Sequence, residues 1–466
     1  MSARPTPPIP PSRPDRQSFL RSWITARRNL FSALPERLYR ARLAEAKTPW
    51  FRSFLANEPE LVRRVLVSEH RNFPKSPIQS RVLGDLLGQS VFVTNGDLWE
   101  RQRRLIDPAF QASRPRKMFA PMLDAAKAME KRLRESDGIV DLEFEASFTA
   151  ADIIFRTLFS RPIENEMARR VFESFRDYQL SAPMVSGADV LGLPRWVPRF
   201  TPRRRIRRRA AKEIRSLLSQ LVIDRQKEIE SKAAPDDLAT AIMTAKDPID
   251  GSSFSPEEMV DQVGIFFLAG HETSASALAW ALYLLAIDPS VQSEVHREAS
   301  AVFSSDPGFR NLKHLSLTRD VFRETLRLYP PVPMMIREAQ TETIMRDKDI
   351  PAGSPVIISP WHLGRHERIW ADPDVFDPYR WTRPETRDSA REAHIPFSTG
   401  PRVCSGAGFA MQEGVILLGY LTSALKFDPI DGKMPEPMMH LTVRSRNGIW
   451  LKVSPRVPSA QTEIGL

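Results

Sequence analysis

The longest apolar pattern in the chain opens at Ser255-Pro256-Glu257-Glu258 and runs to Ile287, where Asp288-Pro289 ends it. Serine supplies a hydroxyl cap, proline suits a first turn whose N–H has no helical partner, and Glu258 stands where a capping box closes. The pattern predicts one helix of about 32 residues, roughly 48 Å long. Between Val263 and Leu285 it is almost wholly apolar, so this helix has no wet face and belongs inside the molecule. Elsewhere, residues 17–135 mix helical stretches with short strand candidates, and residues 141–340 read mainly as long helices. A short helix spans Arg319 to about Leu328, and a later one spans Gly406 to about Leu425, followed by short strands. Between 341 and 380 the character changes: two β-rich runs flank Pro351-Ala352-Gly353-Ser354 and predict a hairpin.

These elements predict a mainly α chain with small antiparallel β-sheets (α+β) around one continuous core. No fixed-period repeat and no Gly/Ser linker divides it. The opening MSARPTPPIPPSRPD favours polyproline II, so residues 1–16 are expected to form a flexible arm and residues 17–466 a single domain. No run of 18 apolar residues occurs, and no apolar stretch follows the first basic residues as in a secretory leader. The expectation is a cytoplasmic protein without a transmembrane anchor.

One fault interrupts the long helix. Ala269-Gly270-His271-Glu272-Thr273-Ser274 sets glycine and several polar groups in an apolar surrounding. Glycine costs about 1 kcal/mol against alanine, and buried polar atoms need partners. The Thr273 hydroxyl can bond back to the Ala269 carbonyl and open the helix locally. A tolerated kink is the plain alternative. A zinc-protease motif fails, because its second histidine would fall at 275, which is Ala275.

Charge and cysteine content narrow the chemistry. Lys plus Arg is 67 against 57 for Asp plus Glu, a formal +10 that favours acidic partners or anionic surfaces. The most basic run is Arg203-Arg204-Arg205-Ile206-Arg207-Arg208-Arg209. With no base-reading motif beside it, it reads as a solvated helix face rather than a nucleic-acid site. The apolar residues just before it, Leu191 to Trp196, suit a weak peripheral membrane contact. Cys404 is the only cysteine, which excludes disulfides and any zinc site needing two thiolates. It lies in Phe397-Ser398-Thr399-Gly400-Pro401-Arg402-Val403-Cys404-Ser405-Gly406, a glycine-flanked loop leading into a helix. Loop amides and a helix N-terminus favour a thiolate, which serves as a nucleophile or a metal ligand. A nucleophile needs a base, and His394 is the histidine nearby in sequence; a metal with so few protein ligands points to iron in a macrocycle.

The spacing Phe397, Gly400, Arg402, Cys404, Gly406 resembles the haem-binding loop of the cytochrome P-450 family. Ala269-Gly270-x-Glu272-Thr273 is similar to the family's oxygen-activating motif on its long central helix. Glu324-x-x-Arg327 resembles the buried ion pair, Phe376-Asp377-Pro378-Tyr379-Arg380-Trp381 the segment whose arginine joins it, and Trp99-x-x-x-Arg103 the helix that meets the haem propionates. The resemblance runs from about residue 50 to the C-terminus and suggests a soluble, bacterial-type member. It implies haem b with Cys404 as the axial ligand of the iron, Phe397 packed beside the sulfur, and Trp99, Arg103, Arg337 and Arg402 around the propionates. Glu272 and Thr273 would deliver protons, and Glu324, Arg327 and Arg380 would anchor the haem loop. The implied activity is monooxygenation of a small lipophilic substrate with O2, in a pocket bounded by the central helix, residues 75–96 and Val332 to Met335. No flavin or iron–sulfur segment is fused, so electrons would come to a monomer from a separate ferredoxin or flavodoxin with its reductase. A non-enzymatic haem–thiolate gas or redox sensor is the competing expectation; it would not need Glu272 and Thr273.

Overall fold

The structure is a computed structural model that describes residues 4–47, 52–111, 114–180, 202–304 and 307–456. Its axis is the central helix, Pro256–Ile287, with the Ser255 capping box formed as the sequence predicts. It packs along Leu142–Phe159 and against Pro202–Glu230, Ser316–Leu328 and Ala407–Ala424. Gly270 permits a close approach to Leu142–Phe159, since a Cβ there would fall 2.3 Å from the Ile154 side chain. Thr273 does bond back to Ala269, yet the helix continues unbroken through the fault. Near its C-terminal half, Ser276 Oγ and Trp280 Nε1 both donate to the Val443 carbonyl, at 2.6 and 3.1 Å, pinning the short strand Val443–Ser445 against it.

The rest is helix with small sheets, as expected. Among the described residues, three sheets are antiparallel throughout; the four-stranded one, ordered Leu43–Lys47, Arg52–Ala56, Pro355–Ile358, Met335–Glu338, contains one parallel pair. The hairpin expected around Pro351-Ala352-Gly353-Ser354 is placed differently. Thr343–Met345 turns back at Arg346-Asp347 onto Lys348–Ile350, and Pro355–Ile358 pairs with Met335–Glu338 instead. Arg346 takes the left-handed conformation at φ 53°, where no glycine marks the turn in the sequence.

The proline-rich arm is extended, but from Arg4 onward it is seated on the body rather than free. The Phe376 amide donates to the Pro5 carbonyl, the Tyr329 hydroxyl to the Pro8 carbonyl, and Arg4 pairs with Asp377. The basic run opens the helix Pro202–Glu230, where Arg205, Arg208 and Arg209 are exposed and Arg208 meets Asp85 at 3.1 Å. Leu191 to Trp196 lie outside the described residues. Among the described residues no single helix is long and apolar enough to cross a membrane.

Candidate functional site

On the central helix, burial fails along one stripe: Ala269 is exposed, and Phe266, Gly270 and Thr273 are partly so, although their neighbours are buried. These residues are spaced three and four apart and share a face. Cys404 likewise keeps open surface while its sulfur sits deep in the protein. The two are joined by their surroundings. Phe110 packs edge-on to Phe266 at 5.9 Å, and a Cβ on Gly406 would lie 3.9 Å from both Phe110 and the Cys404 sulfur. One residue beyond Thr273, the Ser274 hydroxyl donates to Glu413 Oε2 at 2.5 Å, on the helix that follows Cys404. Glu413 is wholly buried with no second partner for its other oxygen, and burial pushes its carboxyl up to about 8. We infer an internal chamber between them from the open surface in the middle of an otherwise buried helix and at the cysteine.

The loop that presents Cys404 is sterically determined. Gly400 adopts φ 73° and a Cβ there would strike the Leu66 carbonyl at 2.3 Å; Ser398 is also left-handed at φ 63°. The Cys404 amide donates to the Phe397 carbonyl at 3.0 Å, which brings Phe397 beside the cysteine. The loop amides do not by themselves favour a thiolate at Cys404. Burial pushes the thiol up, more than the Gly406 amide and Arg103 draw it down. A cation bound at the sulfur would supply the missing stabilisation. The nucleophile alternative loses its base, because His394 Nε2 is held 3.2 Å from the Arg323 carbonyl and its ring stacks edge-on to Trp381.

At the edge of this region sits a group of cations. Arg337 is only 4% exposed, and among the described residues its guanidinium makes one hydrogen bond, a long 3.3 Å contact to the Ile336 carbonyl. Arg402 lies over the Trp99 ring at 4.4 Å, donates to Asn95 Oδ1 at 2.8 Å, and has a buried Nε without a partner. Lys75, which carries no motif in the sequence, donates to the carbonyls of Val91 and Thr94 at 2.5 and 3.1 Å and faces the same tryptophan. Among the described residues none of these three forms an ion pair. Burial, then Arg402, Arg337 and Arg103, hold the Lys75 ammonium well below its usual range; burial and Arg402 lower Arg337 to about 10. Like charges gathered without a counter-ion make a site for buried carboxylates. Arg103 is partly committed, donating to Asp107 at 2.8 Å and to the Val403 carbonyl of the cysteine loop at 2.7 Å.

Behind the loop, the Glu324, Arg327 and Arg380 of the sequence reading do converge. Arg327 grips Glu324 through two bonds of 2.7 and 2.9 Å, Arg380 adds a third at 2.9 Å, and the Asp377 amide a fourth at 3.1 Å. Their remaining donors reach the carbonyls of Gly364, Pro373, Val375, Ala371 and Asp372. Glu272 and Thr273 part company. Thr273 borders the chamber, whereas Glu272 turns away, bonded to Thr442 at 2.8 Å and to Arg444 at 2.7 Å.

A thiol and an open helix face across a chamber, with unpaired cations at its edge, suit a flat metal macrocycle that carries carboxylates. The cytochrome P450 family model matches residues 48–453. The chain belongs to the cytochrome P450 family. This P450 is 31% identical, over 84% of its length and 83% of that protein, to a cyclooctat-9-en-7-ol 5-monooxygenase of Streptomyces melanosporofaciens. It is 29% identical to a cytokinin hydroxylase of Arabidopsis thaliana, over 85% of this chain and 78% of that one. The fold matches the crystal structure of the cytochrome P450DA heme domain with a TM-score of 0.78, at 22% identity and over 90% of both chains. This P450 is therefore an oxidoreductase of the monooxygenase class with haem b as its cofactor. Its named relatives are enzymes, so the sensor alternative is not favoured.

Proposed function

We propose that this P450 inserts one oxygen atom of O2 into a C–H bond of a small lipophilic substrate, as a monomeric, cytoplasmic single haem domain supplied with electrons by a separate protein. The observation that carries this reading is the open surface at Cys404 and along the Phe266–Thr273 stripe of the otherwise buried central helix. When bound, the haem supplies the chemistry of O2 activation and C–H oxidation. Cys404 would hold its iron through sulfur, with Phe397 screening that sulfur from water. Trp99, Arg103, Arg337 and Arg402, with Lys75 added from the structure, would hold the propionates. Apart from Thr273 the helix stripe is Phe266, Ala269 and Gly270, which favours an apolar substrate.

Thr273 would hold a proton at its hydroxyl on the chamber wall, and Glu272 would replenish it. Thr273→Ala keeps the helix and removes that hydroxyl together with one methyl group. Its haem content and substrate affinity should match the parent, while product formed per electron falls by about 10²-fold and hydrogen peroxide takes its place. Measuring product, peroxide and reductant consumption together checks this; unchanged coupling would remove Thr273 from the reaction.

The electron donor in this reading is a ferredoxin or flavodoxin with an NAD(P)H-linked reductase. The formal +10 suits an acidic carrier docking near the cysteine loop by electrostatic steering. First-electron transfer from such a carrier should slow steeply between low and physiological salt in stopped flow. A flat salt response would mean that docking does not depend on charge.

A further inference from the structure

Prolines recur three apart in the N-terminal arm, at 5, 8 and 11 and again at 7 and 10. In an extended polyproline chain, residues three apart share a face. Pro7 and Pro10 are buried against the body, while Thr6 is exposed. Pro5 and Pro8 offer their carbonyls instead: the Phe376 amide donates to Pro5 at 3.1 Å and the Tyr329 hydroxyl to Pro8 at 2.7 Å. Phe376 and Tyr329 are both 0% exposed, and among the described residues these two donors find their acceptors only in the arm. Arg4 adds its pair with Asp377 and lies 4.6 Å over the Tyr379 ring. Towards the body, the Arg13 amide donates to the Leu34 carbonyl at 3.1 Å, and the Arg13 carbonyl accepts the Glu36 amide at 3.2 Å. The segment from Arg4 to Arg13 is thus held at both ends. Its prolines restrict the chain before it is seated, so little conformational entropy is lost on seating.

What the arm joins is the Glu324 network. Tyr329 ends the helix Ser316–Leu328, which carries Glu324 and Arg327, and its ring stacks on Trp280 of the central helix with centroids 3.9 Å apart. Phe376 precedes Asp377, whose amide reaches Glu324 at 3.1 Å and whose carboxylate also takes Arg383 at 2.6 Å. Glu324 keeps Arg380 and the Asp377 amide only while these two segments stay in register, because a hydrogen bond of about 3 Å is lost once its partners drift much beyond 3.5 Å. We propose that residues 4–13 are a strap that holds the helix end and the 376–380 segment against each other and so slows loss of the haem, with Pro5 and Pro8 as positioning residues. This rests on the reading of Glu324 as an anchor of the haem loop.

The test is haem transfer from the holoenzyme to excess apomyoglobin, with hydrogen exchange of residues 371–380 measured beside it. Pro7→Asp puts a charge into the buried seat and should unseat the arm. Haem should then leave about tenfold faster, and the Phe376 amide, freed from the Pro5 carbonyl, should exchange at least about tenfold faster. Tyr329→Phe keeps the ring on Trp280 and removes only the hydroxyl that reaches Pro8. It should move haem transfer in the same direction by less, and it keeps the test decisive if Pro7→Asp does not fold. Thr6→Asp carries the same charge at an exposed position of the arm and should behave as the parent. A contribution to overall stability alone would speed exchange throughout the chain and lower the denaturation midpoint without a selective rise in haem transfer. That result, or fast exchange at Phe376 with the parent's rate of haem transfer, overturns the proposal. If Glu324→Ala also keeps its haem, the underlying anchoring reading fails; if it loses haem while Pro7→Asp retains it as the parent does, only the strap fails.

Discussion

Cys404→Ser is expected to give a folded protein with no measurable turnover, a loss on the order of 10³-fold or more. Serine nearly matches cysteine in shape, and the loop geometry does not come from the sulfur. It comes from Gly400 against the Leu66 carbonyl and from the Cys404 amide on the Phe397 carbonyl, both of which serine retains. What disappears is an anionic sulfur donor. An alcohol oxygen is far harder to deprotonate, and in this site burial already opposes the charged form of the thiol. Cys404 would supply the electron-rich sulfur that a haem needs for O2 activation, and serine would not. Turnover assays with substrate, together with circular dichroism to confirm folding, check the expectation. A serine variant retaining a tenth of the parent's activity would separate the cysteine from the chemistry.

Glu324→Ala should be the most damaging change away from the chamber. Glu324 is 0% exposed and receives Arg327, Arg380 and the Asp377 amide. Removing it leaves two buried guanidiniums facing each other without their shared anion, at a cost of about 3–5 kcal/mol. The damage is transmitted, because both arginines also hold the carbonyls of residues 371–375, and Trp381, next to Arg380, packs on His394 just before Phe397. The variant should therefore express with little haem and melt well below the parent. Glu324→Gln, which keeps the size and some of the bonds, should fall between the two. The haem-to-protein ratio and thermal unfolding measure both effects; full haem occupancy with normal stability in the alanine variant would contradict the anchoring role.

Local signals explain what could be read in the sequence. The central helix was bounded by Ser255, Pro256 and Pro289, whose effects act within a turn of the chain, and both of its ends agree with the structure. Glu324 and Arg327 share a helix face by spacing alone, and the cysteine loop was marked by glycines at positions where side chains do not fit. Contacts between distant segments were not legible. Lys75 belongs with Arg402 only because the strand Met335–Glu338 and the Trp99 helix bring them together, and a lysine among surface-type neighbours carries no local mark. The partner of Glu272, Arg444, is 172 residues away, so the sequence motif suggested a side chain aimed at the chamber when in fact it is tied to a strand. The hairpin between 343 and 350 was missed because its turn uses Arg346 in a left-handed conformation without glycine, while the glycine turn at 353 leads into a different pairing. At Cys404 the loop amides are visible in the sequence, but the burial that outweighs them is not.

The central claim is that haem iron is held by an anionic sulfur at Cys404, and the visible spectrum of the reduced protein under carbon monoxide tests it most directly. The expected result is the long-wavelength Soret band of a thiolate-ligated haem, lost in Cys404→Ser. A short-wavelength band in the freshly purified parent, or a serine variant with the parent's spectrum, would contradict it.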